Sequence, residues 1–400
     1  MSNDSPFRAG FGKTPPVLVG RDALLRDFGD AIDLGSWGQE RVTLLEGLRG
    51  VGKTVMVNAL EDVARGRGWV VVSETATPGF AARISESHLP RVLRDLTGPP
   101  ERRVTAAGFA GASVTTQLVG KNDGVPTLRT QIADITDLLD GRGILFTLDE
   151  ISLAAREDLE HFVAELQHAI RQDREVAFVG AGLGSAITDL LAARSLTFLR
   201  RASRQLLDFL DYEDVLTAIG KPIRDAGRSI DDRSLADAAA GTQGYPFLAQ
   251  LIGDLAWRAN PQNPEISLAD VHGAYRKARR TMGSHILEPS LRDLSNTDRT
   301  VLAAIAASPG PAKVADLRRT LGVEPRYMGV YRQRLLDAGL IYPVRHGVVD
   351  IALPYLREYL HEHVVSDATT ERARRRQAFP PPPALPDAVS GEHSGDAEAP

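Results

Sequence analysis

Between a strand-like run, Val42–Glu46, and a helix-like run that begins at Lys53 lies Gly47-Leu48-Arg49-Gly50-Val51-Gly52-Lys53-Thr54. The octet fits G-x-x-x-x-G-K-[ST], and no other pattern in the chain restricts its fold so far. Glycines at this spacing let the backbone turn its N–H groups inward onto phosphate oxygens. Lys53 would reach the outer phosphates, and the Thr54 hydroxyl would hold Mg2+. The following helix points its positive N-terminal end at the same anion. Strand, loop and helix in this order open a parallel α/β sheet built around a nucleoside triphosphate.

The chain contains its own control. Gly12-Lys13-Thr14 also reads GKT, but Phe7 stands where the first glycine is needed. Pro15 and Pro16 follow at once and stop a helix from starting there.

Four hundred residues exceed what one core serves, so two or three domains are expected. The absence of cysteine excludes disulfides, thiolate metal sites and cysteine nucleophiles together. Nine histidines show no H-E-x-x-H pairing, so no zinc site is expected. The N-terminus lacks the basic and apolar regions of a signal peptide. The longest uncharged apolar stretch, 176–188, is broken by glycines and too short to span a bilayer. A cytoplasmic protein with no membrane contact is the expectation. A net charge of −5 argues against bulk coating of nucleic acid but leaves local basic patches open.

Strand and helix patterns alternate over the first half. A helix is expected from Asp22, strands at 69–73, 144–148 and 176–179, and helices at 131–139 and 156–171. Residues 103–118 alternate around glycines and predict a hairpin insertion. Strands alternating with helices predict a parallel sheet with helices on both faces, and ligands at its C-terminal strand ends. From 212 to 290 the strand signals stop, and helical patterns run through 213–223, 233–240, 246–259 and 268–282. The domains predicted are an irregular lead (1–16), a P-loop core (17–210), a helical lid (211–292), a winged helix (293–363) and a disordered tail (364–400).

The strand at 144–148 delivers Asp149-Glu150. An aspartate there would hold Mg2+, and the glutamate one residue on would orient and deprotonate an attacking water. An acidic pair after a strand also serves as a helix N-cap, so the pair carries weight through the phosphate loop upstream. No N-K-x-D guanine reader occurs, and Gly180-Ala181-Gly182-Leu183-Gly184 does not match the dinucleotide fingerprint in register.

These residues resemble AAA-type ATPases of the origin-recognition-like and STAND branch, over about residues 11 to 290. Val19-Gly20-Arg21-Asp22 resembles the branch's hydrophobic-Gly-Arg-acidic box, which implies that Val19, Gly20 and Arg21 contact adenine. Gly244-Tyr245-Pro246-Phe247-Leu248 resembles its G-x-P motif, which implies that Gly244, Tyr245 and Pro246 open a lid helix over the nucleotide. ATP and Mg2+ are the implied cofactors. The lid arginine of standard AAA ATPases has no counterpart near Gly244, and Ser185 is the one polar candidate for sensor 1, so slow turnover is implied. Arg194, Arg200, Arg201 and Arg204 lie where an arginine finger would sit, Arg200 and Arg201 being preferred. Such a finger often comes from a neighbouring subunit, which implies self-association. A solvated basic helix face is the alternative for each.

Residues 297–342 resemble a winged helix-turn-helix. Helices are expected at 301–306, 314–321 and 326–338, with a break at Ser308-Pro309-Gly310-Pro311, then a hairpin through Arg345-His346-Gly347. Met328, Tyr331 and Leu335 would face the core, and Arg326, Tyr327, Val330 and Arg334 would point outward. Over 318–345 six arginines stand against two acidic residues, reversing the sign of the whole chain. Duplex DNA, met through Arg326, Arg334 and Arg345, is the expected partner. The function expected is a nucleotide-driven switch that couples slow Mg-ATP hydrolysis to DNA binding. The alternatives are a signalling scaffold whose winged helix binds protein, and a transcription regulator with a residual ATP site.

Overall fold

The runs Val42–Glu46, Ile144–Leu148 and Val176–Gly182 are buried at every position, as strands must be when helices cover both faces of a sheet. The computed structural model describes residues 4–10, 12–98, 102–106, 115–118, 126–292 and 294–365. By its contacts the chain divides into two units, Met1–Met282 and Gly283–Pro400.

In chain order the first unit begins with α1 (Asp22–Leu34), β1 (Val42–Glu46), α2 (Lys53–Gly66), β2 (Val70–Thr75), α3 (Phe80–Arg83) and α4 (Leu89–Thr97). Then come β3 (Arg102–Ala106), β4 (Thr115–Leu118), α5 (Leu128–Leu138), β5 (Ile144–Asp149), α6 (Arg156–Arg171), β6 (Val176–Gly182), α7 (Gly184–Ala192) and β7 (Ser203–Leu206). Five of these strands form one parallel sheet in the order β2-β5-β6-β1-β7. Alternate residues feed two cores. Leu44, Phe146 and Phe178 point to one side, with Phe162 of α6 standing edge-on to Phe80, Phe146 and Phe178. Leu45, Leu145, Ala177 and Val179 point to the other, against Phe28 of α1 and Met56 and Leu60 of α2.

The expected sheet and helices are present, with differences at the ends. Helix α5 starts at Leu128, three residues before the apolar pattern. Thr127 and Thr130 cap its first turn reciprocally, a T-x-x-T version of the capping box. Strand β6 continues to Gly182, because Gly180 and Gly182 let Ile151 pack directly on the strand. The backbones of β3 and β4 pair antiparallel where a hairpin was expected, and the residues between them lie outside the described ones.

The region expected as a helical lid (211–292) lies in the same unit up to Met282, as α8 (Tyr212–Asp225), β8 (Ser229–Ile230), α9 (Asp232–Ala240), α10 (Pro246–Trp257), β9 (Glu265–Ile266) and α11 (Leu268–Met282). All four helical patterns are helices. The parallel pairing of β8 with β9 was not expected, since two residues are too few to carry a period-2 pattern.

The second unit contains α12 (Glu288–Arg292), α13 (Asn296–Ala306), β10 (Ala312–Lys313), α14 (Val314–Leu321), α15 (Pro325–Asp337), β11 (Ile341–Arg345), β12 (Val348–Ile351) and α16 (Leu356–Leu360). Its strands form an antiparallel sheet ordered β10-β12-β11. Met328, Tyr331 and Leu335 are buried on one face of α15, as the i, i+3, i+7 spacing requires. The tail expected to be disordered lies almost wholly outside the described residues. No helix among the described residues is long and apolar enough to cross a membrane.

Candidate nucleotide site

The octet leaves β1 at Glu46, whose carbonyl accepts the N–H of Leu207 at 2.7 Å. A Cβ on Gly47 would stand 2.3 Å from the Leu207 carbonyl oxygen, so the loop must begin with glycine. Gly50 and Gly52 both have positive φ, +73° and +95°, which turns the backbone inward at no steric cost. Val51 is buried and pins the loop to the core, while Arg49 is exposed at its tip.

Lys53 opens α2 and is buried. Its Nζ donates to the carbonyls of Gly47 at 3.0 Å and Leu48 at 2.8 Å, so the loop closes around its own ammonium. Burial pushes its pKa below the ordinary lysine value, and the charges of Glu150 and Asp149 oppose that shift.

Thr54 Oγ1 donates to Asp149 Oδ2 at 2.6 Å. The two candidate Mg2+ ligands, ninety-five residues apart, therefore meet at the end of β5. Asp149 is held on its other sides too: Oδ1 accepts from Glu150 N at 2.9 Å, and its carbonyl accepts from Ala76 N at 2.9 Å. Glu150 has φ +53° and ψ +48°, a left-handed backbone that costs a non-glycine residue about 1 kcal/mol or more. The strain falls on the residue whose carboxylate must leave the strand beside the loop.

One supporting contact escaped the sequence reading. Glu61 of α2 is buried, accepts from Thr147 Oγ1 at 2.6 Å and pairs with Arg65 at 2.8 Å. It sets the register of α2 against β5, and with it the approach of Thr54 to Asp149. The signal available was an acidic residue on the inward face of an amphipathic helix.

The lid reaches the loop directly. Tyr245, just before α10, is buried, and its Oη donates to the Arg49 carbonyl at 2.9 Å. Burial raises its phenol well above the usual value, which keeps it a donor. A Cβ on Gly50 would lie 1.8 Å from that hydroxyl, so the second loop glycine makes room for the tyrosine. Gly244, at φ +76°, accepts from Leu210 N at 2.8 Å, and Pro246 opens α10.

The other candidates are distributed around this centre. Val19 is buried, and Gly20 (φ +66°) packs on the Asp214 carboxylate. Arg21 donates to the Asp208 carbonyl at 2.7 Å, so its guanidinium is engaged where the core passes into the lid. Burial lowers its pKa, against the pull of Asp214 and Asp208. Ser185 is half-buried in the first turn of α7. Arg200 donates to the carbonyls of Leu191, Ala192 and Ala193 and closes the C-terminus of α7. Arg204 pairs with Glu46 at 2.8 Å. Arg194 and Arg201 are exposed.

The donor set fits a Mg-nucleotide. Among the described residues no three His, Cys, Asp or Glu side chains gather to hold a metal ion. Thr54 and Asp149 instead offer two hard oxygens, and Mg2+ ordinarily completes such a shell with phosphate and water. The glycine cradle and buried lysine suit the phosphates themselves.

Parallel sheet, glycine loop and Thr–Asp pair define the P-loop nucleotide-binding class. Residues 17–179 match the family model of the AAA ATPase domain, and residues 284–360 match a domain of unknown function (DUF8462). The fold is similar to that of the ORC2 protein of Aeropyrum pernix, solved in ADPNP and ADP complexes. That match has a TM-score of 0.58 at 18% identity and covers 92% of this chain and 98% of that one. A Walker-type ATPase of Pyrococcus abyssi matches with a TM-score of 0.60 at 14% identity, covering 86% and 96% respectively. At these identities the likeness is one of fold. None of the curated proteins compared matches the chain. Residues 17–179 thus form an AAA-type P-loop domain, and the fold of the chain is like that of the ORC2 protein.

A methyl group at position 50 tests the contact between loop and lid. Gly50→Ala should displace Tyr245 and strain the loop, weakening binding of a fluorescent ATP analogue by at least about 10-fold in titration. Affinity within twofold of wild type would mean that the loop tolerates loss of the tyrosine.

Proposed function

We propose that the protein binds Mg-ATP and hydrolyses it slowly, as a switch whose state is passed to a DNA-binding winged helix. The observation that carries the nucleotide half is the meeting of Thr54 with Asp149 beside a loop that closes on Lys53. Lys53 would hold the β- and γ-phosphates, and Thr54 and Asp149 would hold the metal. Bound Mg2+ would neutralise charge that develops on the phosphate oxygens. Glu150 would orient the attacking water and accept its proton, from a backbone turn that leaves its carboxylate exposed. The ADPNP and ADP complexes of the archaeal neighbour support adenine nucleotides as the ligand class.

Slow turnover is supported by what lies between lid and loop. The G-x-P segment presents Tyr245, a neutral hydroxyl already spent on the Arg49 carbonyl, where standard AAA ATPases bring an arginine to the γ-phosphate. Of the two preferred finger residues, Arg201 is free to reach a second copy of the chain, whereas Arg200 would first have to release the end of α7.

The winged-helix reading of the second unit rests on its order of helix, short strand, two helices and a hairpin. Arg326 at the start of α15 and Arg345 on the hairpin are exposed, and neither makes an ion pair among the described residues. Arg334 is less free than its spacing implied. It lies over the Tyr331 ring and reaches back to within 3.9 Å of the buried Asp298 carboxylate. Exposed Val330, Tyr342 and Val344 favour the second reading, a unit that docks on protein.

Turnover and DNA titration separate these readings. Glu150→Gln should bind ATP as wild type does and hydrolyse it about 100-fold or more slowly. Unchanged turnover would remove Glu150 from the reaction. Replacing Arg326 and Arg345 together by alanine should weaken duplex binding and lower the slope of log affinity against log salt by about 2. Duplex affinity and slope unchanged by that pair would leave the protein-docking reading.

A further inference from the structure

Ahead of α1, residues 7 and 8 pack on α10 and residue 12 on α2. Phe7 is only 4% exposed and lies directly on the backbone of α10 at Gly253. A Cβ there would come within 2.4–2.6 Å of three atoms of the Phe7 ring. Glycine is a poor helix former, and Gly253 sits in the interior of α10, where alanine would serve the helix better. The contact with Phe7 accounts for its presence. One residue on, the N–H of Arg8 donates to Gln250 Oε1 at 3.0 Å, on the same helix.

The other anchor is on α2. Asn58 Nδ2 donates to the Gly12 carbonyl at 2.9 Å. Gly12 takes φ +68° there, and a Cβ on it would lie 3.7 Å from the methyl of Thr54. Gly12-Lys13-Thr14 is no phosphate loop, but it begins against the helix that the true loop opens. Residues 7 and 8 thus hold the lid helix that follows Tyr245, and residue 12 holds the helix that starts with Lys53 and Thr54.

We infer that the anchors at residues 7, 8 and 12 act as a strap between α10 and α2, and that Phe7 and Asn58 are positioning residues that retain bound nucleotide by resisting separation of lid from loop. The inference rests on the nucleotide reading above. The hydroxyl of Tyr245 also ties lid to loop, and one neutral hydrogen bond is a weak tie. Burial of a phenylalanine ring is a stronger one. A ligand lying on the loop leaves when the lid moves away, so the strap should appear in its rate of departure.

The test is release of a fluorescent ATP analogue from the full-length chain, chased with excess ATP in a stopped-flow instrument. Gly253→Ala improves α10 as a helix yet drives a methyl group into the Phe7 ring, and Asn58→Ala removes the other anchor from a half-buried position. Each should melt cooperatively and release the analogue about 5-fold faster or more. The pair Phe7→Ala with Gly253→Ala should be no faster than the faster single variant, because both displace one ring. Release within twofold of wild type in both Gly253→Ala and Asn58→Ala would overturn the strap. A wild-type chain that takes up no analogue would overturn the nucleotide reading, and the strap's role with it.

Discussion

Tyr245 Oη donates to the carbonyl of Arg49, and the glycine at position 50 leaves room for the ring to come that close. Other contacts join the two parts, among them Gly20 on Asp214 and Phe7 on α10, but none of these touches the loop itself. Through Tyr245, a residue at the mouth of α10 reads the backbone of the phosphate loop. The loop backbone is also what phosphate oxygens would meet, so ligand and lid bear on the same few peptide units. The left-handed turns at Gly50 and Gly52 and the wedge of Leu207 against Gly47 hold that backbone in one shape. Small changes at the loop are therefore poorly absorbed locally and pass to what touches it.

The charges around the loop follow from the same geometry. Burial disfavours the charge of Lys53, while Asp149 and Glu150 restore part of what burial removes. A triphosphate brings more negative charge to the same place, so the site is poised for a polyanion rather than for a neutral ligand. Behind it, Glu61 and Thr147 keep α2 in register with β5, so that Thr54 and Asp149 meet without rearrangement. Glu150 has a left-handed backbone, and it stands next to a residue whose carboxylate accepts two hydrogen bonds and whose carbonyl accepts a third.

What could be read from the sequence was what is local in the chain. The loop, its flanking strand and helix, the strand ending in Asp149 and the buried face of α15 each occupy one short stretch with a clear period. Contacts between distant residues were not legible in that way. Tyr245 and Arg49 are 196 residues apart, and Arg8 and Gln250 are 242 apart. The Gly-Tyr-Pro match pointed to the nucleotide, but nothing local says that its tyrosine binds the loop carbonyl. The lead looked irregular because one phenylalanine among glycines and prolines has no period. Arg200 and Arg334 were read by position alone. Their carbonyl and carboxylate partners come from elsewhere in the fold, α7 and α13 respectively.

Hydrogen exchange measured with and without Mg-ATP tests most directly whether the lid feels the loop. Amides of the loop at 47–54 and of α10 (Pro246–Trp257) should gain protection together on nucleotide binding. In Tyr245→Phe the gain at the loop should persist while that in α10 shrinks. Protection confined to the loop in the wild-type chain, with α10 exchanging at the same rate in both conditions, would contradict the account.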